Sequence, residues 1–175
     1  VDLMKKAVSV GMPHSVGHDF FEDLEARFNE IQRVTTPTGL DFLDEKSVLD
    51  GGLGRGELGV VVAPTGCGKS HWLVQVGAAA LKQGKTVVHY SFELSEVLVG
   101  KRYDANLTNI NVNDILNHKQ DVKDFYEDNE LGNLIIKYYP TRTASVNTIR
   151  NHLEKLKFRG YFPSVVIIDY ADVMR

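Results

Sequence analysis

From residue 58 onward, short, largely apolar runs alternate with stretches whose apolar residues recur every three or four positions. The runs are 58–62, 86–92, 134–139 and 165–169; between them lie 68–83, 95–107 and a segment opened by Ser145, with Val146, Ile149, Leu153 and Leu156 on one face. Gly160 and Pro163 stop that last helix. Apolar runs that alternate with helices rather than with polar residues predict parallel strands covered on both faces. Residues 111–131 are polar with scattered apolar positions and predict short helices. Ahead of the alternation, residues 19–33 space Phe20, Leu24, Phe28 and Ile31 as one apolar helical face, with Asp19 as N-cap. Residues 35–57 are rich in turn formers, carry Gly51, Gly52, Gly54 and Gly56, and read as an irregular lead-in with a short helical piece near 40–48.

Composition narrows this picture only modestly. A chain of 175 residues, 43% hydrophobic, supports one ordinary domain with a real core. A net charge of −3 supplies no global basic field, so any nucleic-acid contact needs a local patch or an assembly. The single cysteine, Cys67, excludes an internal disulfide and fits a reducing compartment, with the cytoplasm as the expectation. Ser9, Gly11 and Pro13 break the opening segment before it reaches the length of a signal sequence, and no run approaches a membrane span. The first residue is valine rather than methionine, which suggests an excised or processed piece. The six histidines show no metal-ligand spacing. The acidic stretch 121–130 reads as a solvated face, and Tyr138, Tyr139 and Arg142 as edge packing or a surface on which a base could stack.

Candidate chemistry concentrates in Ala63, Pro64, Thr65, Gly66, Cys67, Gly68, Lys69, Ser70 and His71. A parallel strand entering a helix through a glycine-rich turn aims backbone N–H groups and the positive end of a helix dipole at one point, as a polyphosphate requires. Lys69 would reach the β- and γ-phosphates and the Ser70 hydroxyl a Mg²⁺ ion. The GxxxxGK[ST] pattern is met except at its first position, where Ala63 replaces glycine. The thiol of Cys67 could have a lowered pKa beside helix N–H groups, though a tolerated small residue explains it more simply. A second motif, VVIIDY at 165–170, ends a strand in Asp169, placed to hold Mg²⁺ through water. Glu93 ends the strand that follows the phosphate-loop helix; it would orient and deprotonate the attacking water, or serve more plainly as an acid near a helix start.

In order and spacing, PTGLDFLD, GGLGRGELGVVVAPTGCGKS, SFELSEVLVGKRYDANL and VVIIDYADVMR resemble the ATPase domain of DnaB-type hexameric replicative helicases, in a phage-like style, within the RecA-like ATPases. The resemblance implies a three-layer α/β phosphate-loop core over 36–175 with a mainly parallel sheet, preceded by a linker and amphipathic helix over 1–35. It implies ATP and Mg²⁺ as cofactors, Lys69 and Ser70 on phosphates and metal, Glu93 as catalytic base and Asp169 on the metal side. It further implies a homo-oligomer, hexameric in the family, acting on single-stranded DNA, with Phe20, Leu24 and Phe28 docked on a neighbouring subunit or on their own domain. RecA-like sheets run 3-2-4-5-1 from their edge. A chain that stops just past its fourth strand implies a partial domain, in which that strand either pairs with the first or leaves a bare edge. The expected activity is ATP-driven unwinding, weak or absent in this piece alone. A recombinase, a KaiC-like oligomeric ATPase and a non-catalytic nucleotide-binding module are the alternatives.

Overall fold

The computed structural model describes Phe21 and residues 33–175. The helix predicted at 19–33, with Phe20, Leu24 and Phe28, lies outside the described residues apart from Phe21 and Arg33. Val34–Arg175 forms one compact unit. Its elements in chain order are β1 (Thr35–Thr36), α1 (Asp41–Asp44), β2 (Leu53–Gly54), α2 (Lys69–Lys82), β3 (Val87–Ser91), α3 (Glu96–Thr108), α4 (Lys119–Asp128), β4 (Leu134–Tyr138), α5 (Val146–Phe158) and β5 (Val165–Asp169). A 3₁₀ turn at Ala171–Val173 follows.

The main sheet has the order β4-β3-β5, parallel throughout, with Ser91 of β3 level with Tyr138 and Asp169. All five residues of β3 are buried, the polar His89 and Ser91 included, as befits a central strand covered on both faces. One face packs on α2 and α3 through Val74, Ala78, Leu81, Val99 and Tyr103 against Val87 and Ile167. The opposite face packs on α5 through Ile149 and Leu156 against Val88, Tyr90 and Ile168. These two clusters make the three layers. α5 begins with a reciprocal cap in which Ser145 and Thr148 exchange side-chain and backbone bonds. Tyr139 stacks on Tyr90, ring centroids 6.2 Å apart, so it is committed to packing rather than offered to a base.

Residues 58–62 depart from expectation. They form no strand; Leu58, Val60 and Val62 are 85, 72 and 89% exposed. An apolar run reports a need for burial, whereas a strand also needs a ladder partner, and among the described residues none lies beside 58–62. β5 is correspondingly an edge strand, which is the bare-edge outcome, and the observed β4-β3-β5 reproduces the 3-2-4 portion of the expected order. No described helix is long and apolar enough to cross a membrane.

Candidate nucleotide-binding site

The direction of α2 fixes where the glycine-rich loop lies. At its C-terminal end Leu81 O accepts from Gly132 N–H (2.8 Å) and Ala80 O from Lys85 N–H (3.1 Å), both just ahead of strands β4 and β3. α2 therefore runs antiparallel to the strands, and its fourteen residues, about 21 Å long, return its N-terminus to the strands' C-terminal edge. Ligands of open parallel α/β sheets bind at that edge. The loop backbone turns through Gly66 (φ 83°) and Gly68 (φ 84°), a left-handed conformation that side-chain-bearing residues adopt at a cost. Gly68 is also the N-cap of α2 and offers no side chain to the first turn, so the N–H groups there are left for an outside acceptor.

Lys69 folds back over the loop, its Nζ donating to Ala63 O (2.6 Å) and Pro64 O (3.0 Å). Cys67 N–H donates to Pro64 O at 3.4 Å, closing the turn. Thr65, Gly66 and Cys67 in the loop and His71 in the first turn of α2 are exposed, while Ser70 at the start of α2 is half-buried.

Both carboxylates reach the same edge. Asp169 closes β5 and is 2% exposed, and its backbone O accepts from Phe92 N–H at 2.8 Å, tying the end of β5 to the residue before Glu93. Asp169 makes no side-chain hydrogen bond to another described residue. Glu93 stands in the open between β3 and α3. The role of helix-start acid falls to its neighbours: Ser95 caps α3 by accepting from Leu98 N–H (3.4 Å), and Glu96 occupies the first turn. Glu96 accepts from Tyr138 N–H (3.2 Å) and Lys137 Nζ (3.1 Å), which hold its carboxyl below the usual range. Glu93 has no such engagement among the described residues. The site's donors are hard oxygens, a hydroxyl and carboxylates, and among the described residues no cluster of three or more His, Cys, Asp or Glu forms a metal-binding group on its own.

Several supports were not visible in the sequence pattern. Gln75, midway along α2, donates from Nε2 to Gly39 O (3.0 Å) and accepts from Asn106 Nδ2 (2.8 Å), tying the lead-in loop, α2 and α3 together. The Asp44 carboxylate accepts from Thr38 N–H (2.8 Å), Thr38 Oγ1 (2.9 Å) and Gly39 N–H (3.0 Å), which gives the TGLDFLD stretch a structural reason. Lys85 donates to Thr35 O (2.7 Å) and Thr36 Oγ1 (2.8 Å), and burial lowers its pKa. Behind α2, Tyr103 Oη bonds His89 Nδ1 at 2.9 Å, and the tyrosine occupies the space that a side chain at Gly77 would need.

Residues 35–175 match the family model of the DnaB-like helicase C terminal domain. The DnaB-like replicative helicase of Enterobacteria phage T4 is 34% identical over 186 aligned positions, covering 99% of this chain and 38% of the relative. The replicative DNA helicase DnaB of Helicobacter pylori strain ATCC 700392 / 26695 is 27% identical, over 85% of this chain and 30% of its own length. This chain thus spans well under half of each. Among solved structures, a DnaB-like replicative helicase described with its interactions with primase aligns over 99% of this chain and 43% of its own, with a TM-score of 0.70 at 19% identity. A second solved structure, described as an ATPase domain, aligns over 99% of this chain and 58% of its own, with a TM-score of 0.63 at 17% identity. Those two likenesses bear on the fold.

Proposed function

Since the chain belongs to the DnaB-like helicase C-terminal domain family, we propose that it is part of the ATP-driven motor of a replicative DNA helicase, coupling hydrolysis to translocation on single-stranded DNA. The observation that carries this reading is the convergence on one sheet edge of a left-handed glycine loop, an uncapped helix N-terminus and two carboxylates without hydrogen-bond partners among the described residues.

The N–H groups at the start of α2 receive phosphate oxygens, and Lys69 moves from the Ala63 and Pro64 carbonyls to the β- and γ-phosphates. Ala63, Pro64, Thr65, Gly66, Cys67, Gly68 and His71 form the wall of the cradle. Ser70 and Asp169 are the residues that would hold Mg²⁺, whose preference for hard oxygen ligands they meet. Bound there, the ion would neutralise charge on the phosphates. Glu93, exposed and disengaged, orients a water and takes its proton.

The complete protein acts as a homo-oligomer, hexameric as in the resemblance that the motifs carry, with primase as a candidate partner. Substituting Lys69→Ala should abolish binding of a fluorescent ATP analogue, and retained binding would overturn the phosphate-loop assignment. In the full-length helicase, Glu93→Gln should keep nucleotide affinity while slowing hydrolysis by about 10²- to 10⁴-fold. Undiminished turnover would remove Glu93 from the mechanism.

A further inference from the structure

His89 lies at the centre of the central strand, 1% exposed, and its Nε2 is buried with no hydrogen-bond partner among the described residues. Buried polar groups are nearly always paired, so an orphan in the middle of a packed sheet calls for a reason. Its other ring nitrogen is fixed. Tyr103 Oη lies 2.9 Å from Nδ1, with the two rings edge to face at 5.7 Å.

The tyrosine hydroxyl has no other acceptor among the described residues, so its hydrogen goes to Nδ1. That assigns the ring proton to Nε2 and makes the orphan a donor.

The matching acceptor is on the next strand. β3 and β5 are parallel, with His89 opposite Ile167 and Ser91 opposite Asp169. Side chains alternate along a strand, so His89, Ile167 and Asp169 lie on one face, the face covered by α2 and α3. His89 and Asp169 are diagonal neighbours, a relation that long side chains span, and the carboxylate's charge acts on the imidazole. Asp169 is a carboxylate without a donor; His89 is a donor without an acceptor.

We propose that His89 is a positioning residue for Asp169: its Nε2–H donates to the carboxylate through one bridging water and sets the orientation in which Asp169 serves the magnesium side of the nucleotide site. The inference rests on the metal role given to Asp169 above. Donors behind a metal-side carboxylate fix its direction, and removing such a donor commonly weakens metal affinity by about 10- to 100-fold. Tyr103, wedged against Gly77 of the phosphate-loop helix, holds the imidazole so that the proton stays on the nitrogen facing away from it.

The test measures affinity for a fluorescent ATP analogue in the 175-residue chain as Mg²⁺ is titrated, beside a parallel series in EDTA. His89→Phe should raise the Mg²⁺ concentration giving half the metal-dependent gain about tenfold, with affinity in EDTA unchanged. His89→Gln, which returns an N–H donor, should recover part of the loss. Asp169→Asn is the reference. If it raises the Mg²⁺ requirement and His89→Phe does not, the positioning role is overturned and the metal site stands. If Asp169→Asn leaves the requirement unchanged, the metal-site reading falls and this inference with it. Should the phenylalanine variant fail to fold, ¹⁵N spectra of the wild-type imidazole decide: a proton on Nε2 whose resonance shifts in Asp169→Asn supports the pairing, and a proton on Nδ1, or an Nε2 resonance unmoved by Asp169→Asn, refutes it.

Discussion

Replacing Gly77 by alanine should destabilise the domain, although helix propensity alone argues the reverse. Gly77 is inside α2, where an alanine ordinarily stabilises by about 1 kcal/mol. Here the added Cβ would meet Tyr103 Cε1 and Cζ at 2.9 Å each and would overlap Tyr103 Oη outright. Tyr103 is 1% exposed, so its ring can move only by displacing packed neighbours. Forcing a methyl group into such a contact costs about 1 to 3 kcal/mol. Pushing the ring aside also stretches its bond to His89 and leaves the buried Nδ1 without its donor, a further cost of about 1 to 3 kcal/mol. Set against the propensity gain, the net loss is about 3 kcal/mol. With a urea dependence of about 2 kcal/mol per molar, the midpoint should fall by roughly 1.5 M at unchanged slope. Adding Tyr103→Phe removes the overlapping oxygen but keeps the ring carbons, so the double variant should recover part of the loss. A Gly77→Ala variant as stable as the parent would refute the claim that the His89, Tyr103 and Gly77 contact is rigid.

Asp44→Ala deprives Thr38, buried in the lead-in turn, and Gly39 of their shared acceptor, and should lower stability by about 2 to 3 kcal/mol by urea unfolding. The imidazole of His89 gives a pH signature. Burial lowers its pKa to about 4, opposed by the charge of Asp169 on β5 and aided by Arg102 on α3. The unfolded chain takes up this proton near pH 6.5 and the folded chain only near 4, so stability is lost as pH falls through that window, by about 3 kcal/mol at its lower end. His89→Phe removes that slope. Unfolding free energies at pH 7 and 4 should therefore show the gap between wild type and variant moving in the variant's favour on acidification.

Most of the sheet and its helices were legible because each run met a local rule. β3, β4 and β5 read as largely apolar runs, and the helix cap at Ser145 carries its own side-chain chemistry. The glycine loop was legible for the same reason, since the turn itself dictates Gly66 and Gly68. Residues 58–62 were misread because their hydrophobicity is local while a ladder partner is not. Glu93 and Glu96 could not be sorted by type alone; three positions separate an open carboxylate from one engaged by Tyr138 and Lys137. The Gln75 relay was invisible because its partners lie 36 and 31 positions away. A buried tyrosine against a helical glycine likewise leaves no periodic trace.

The ammonium of Lys69 already has two carbonyl partners within its own loop. A ligand entering the proposed site would thus meet a competitor built into the protein and would need to supply more negative charge, at closer range, than two neutral dipoles do. A lone phosphate stopping at the helix N-terminus would leave those internal bonds standing, whereas a triphosphate long enough to reach the lysine would displace them. On the proposed nucleotide-binding reading, the folded-back side chain would act as a threshold that sharpens discrimination by phosphate number.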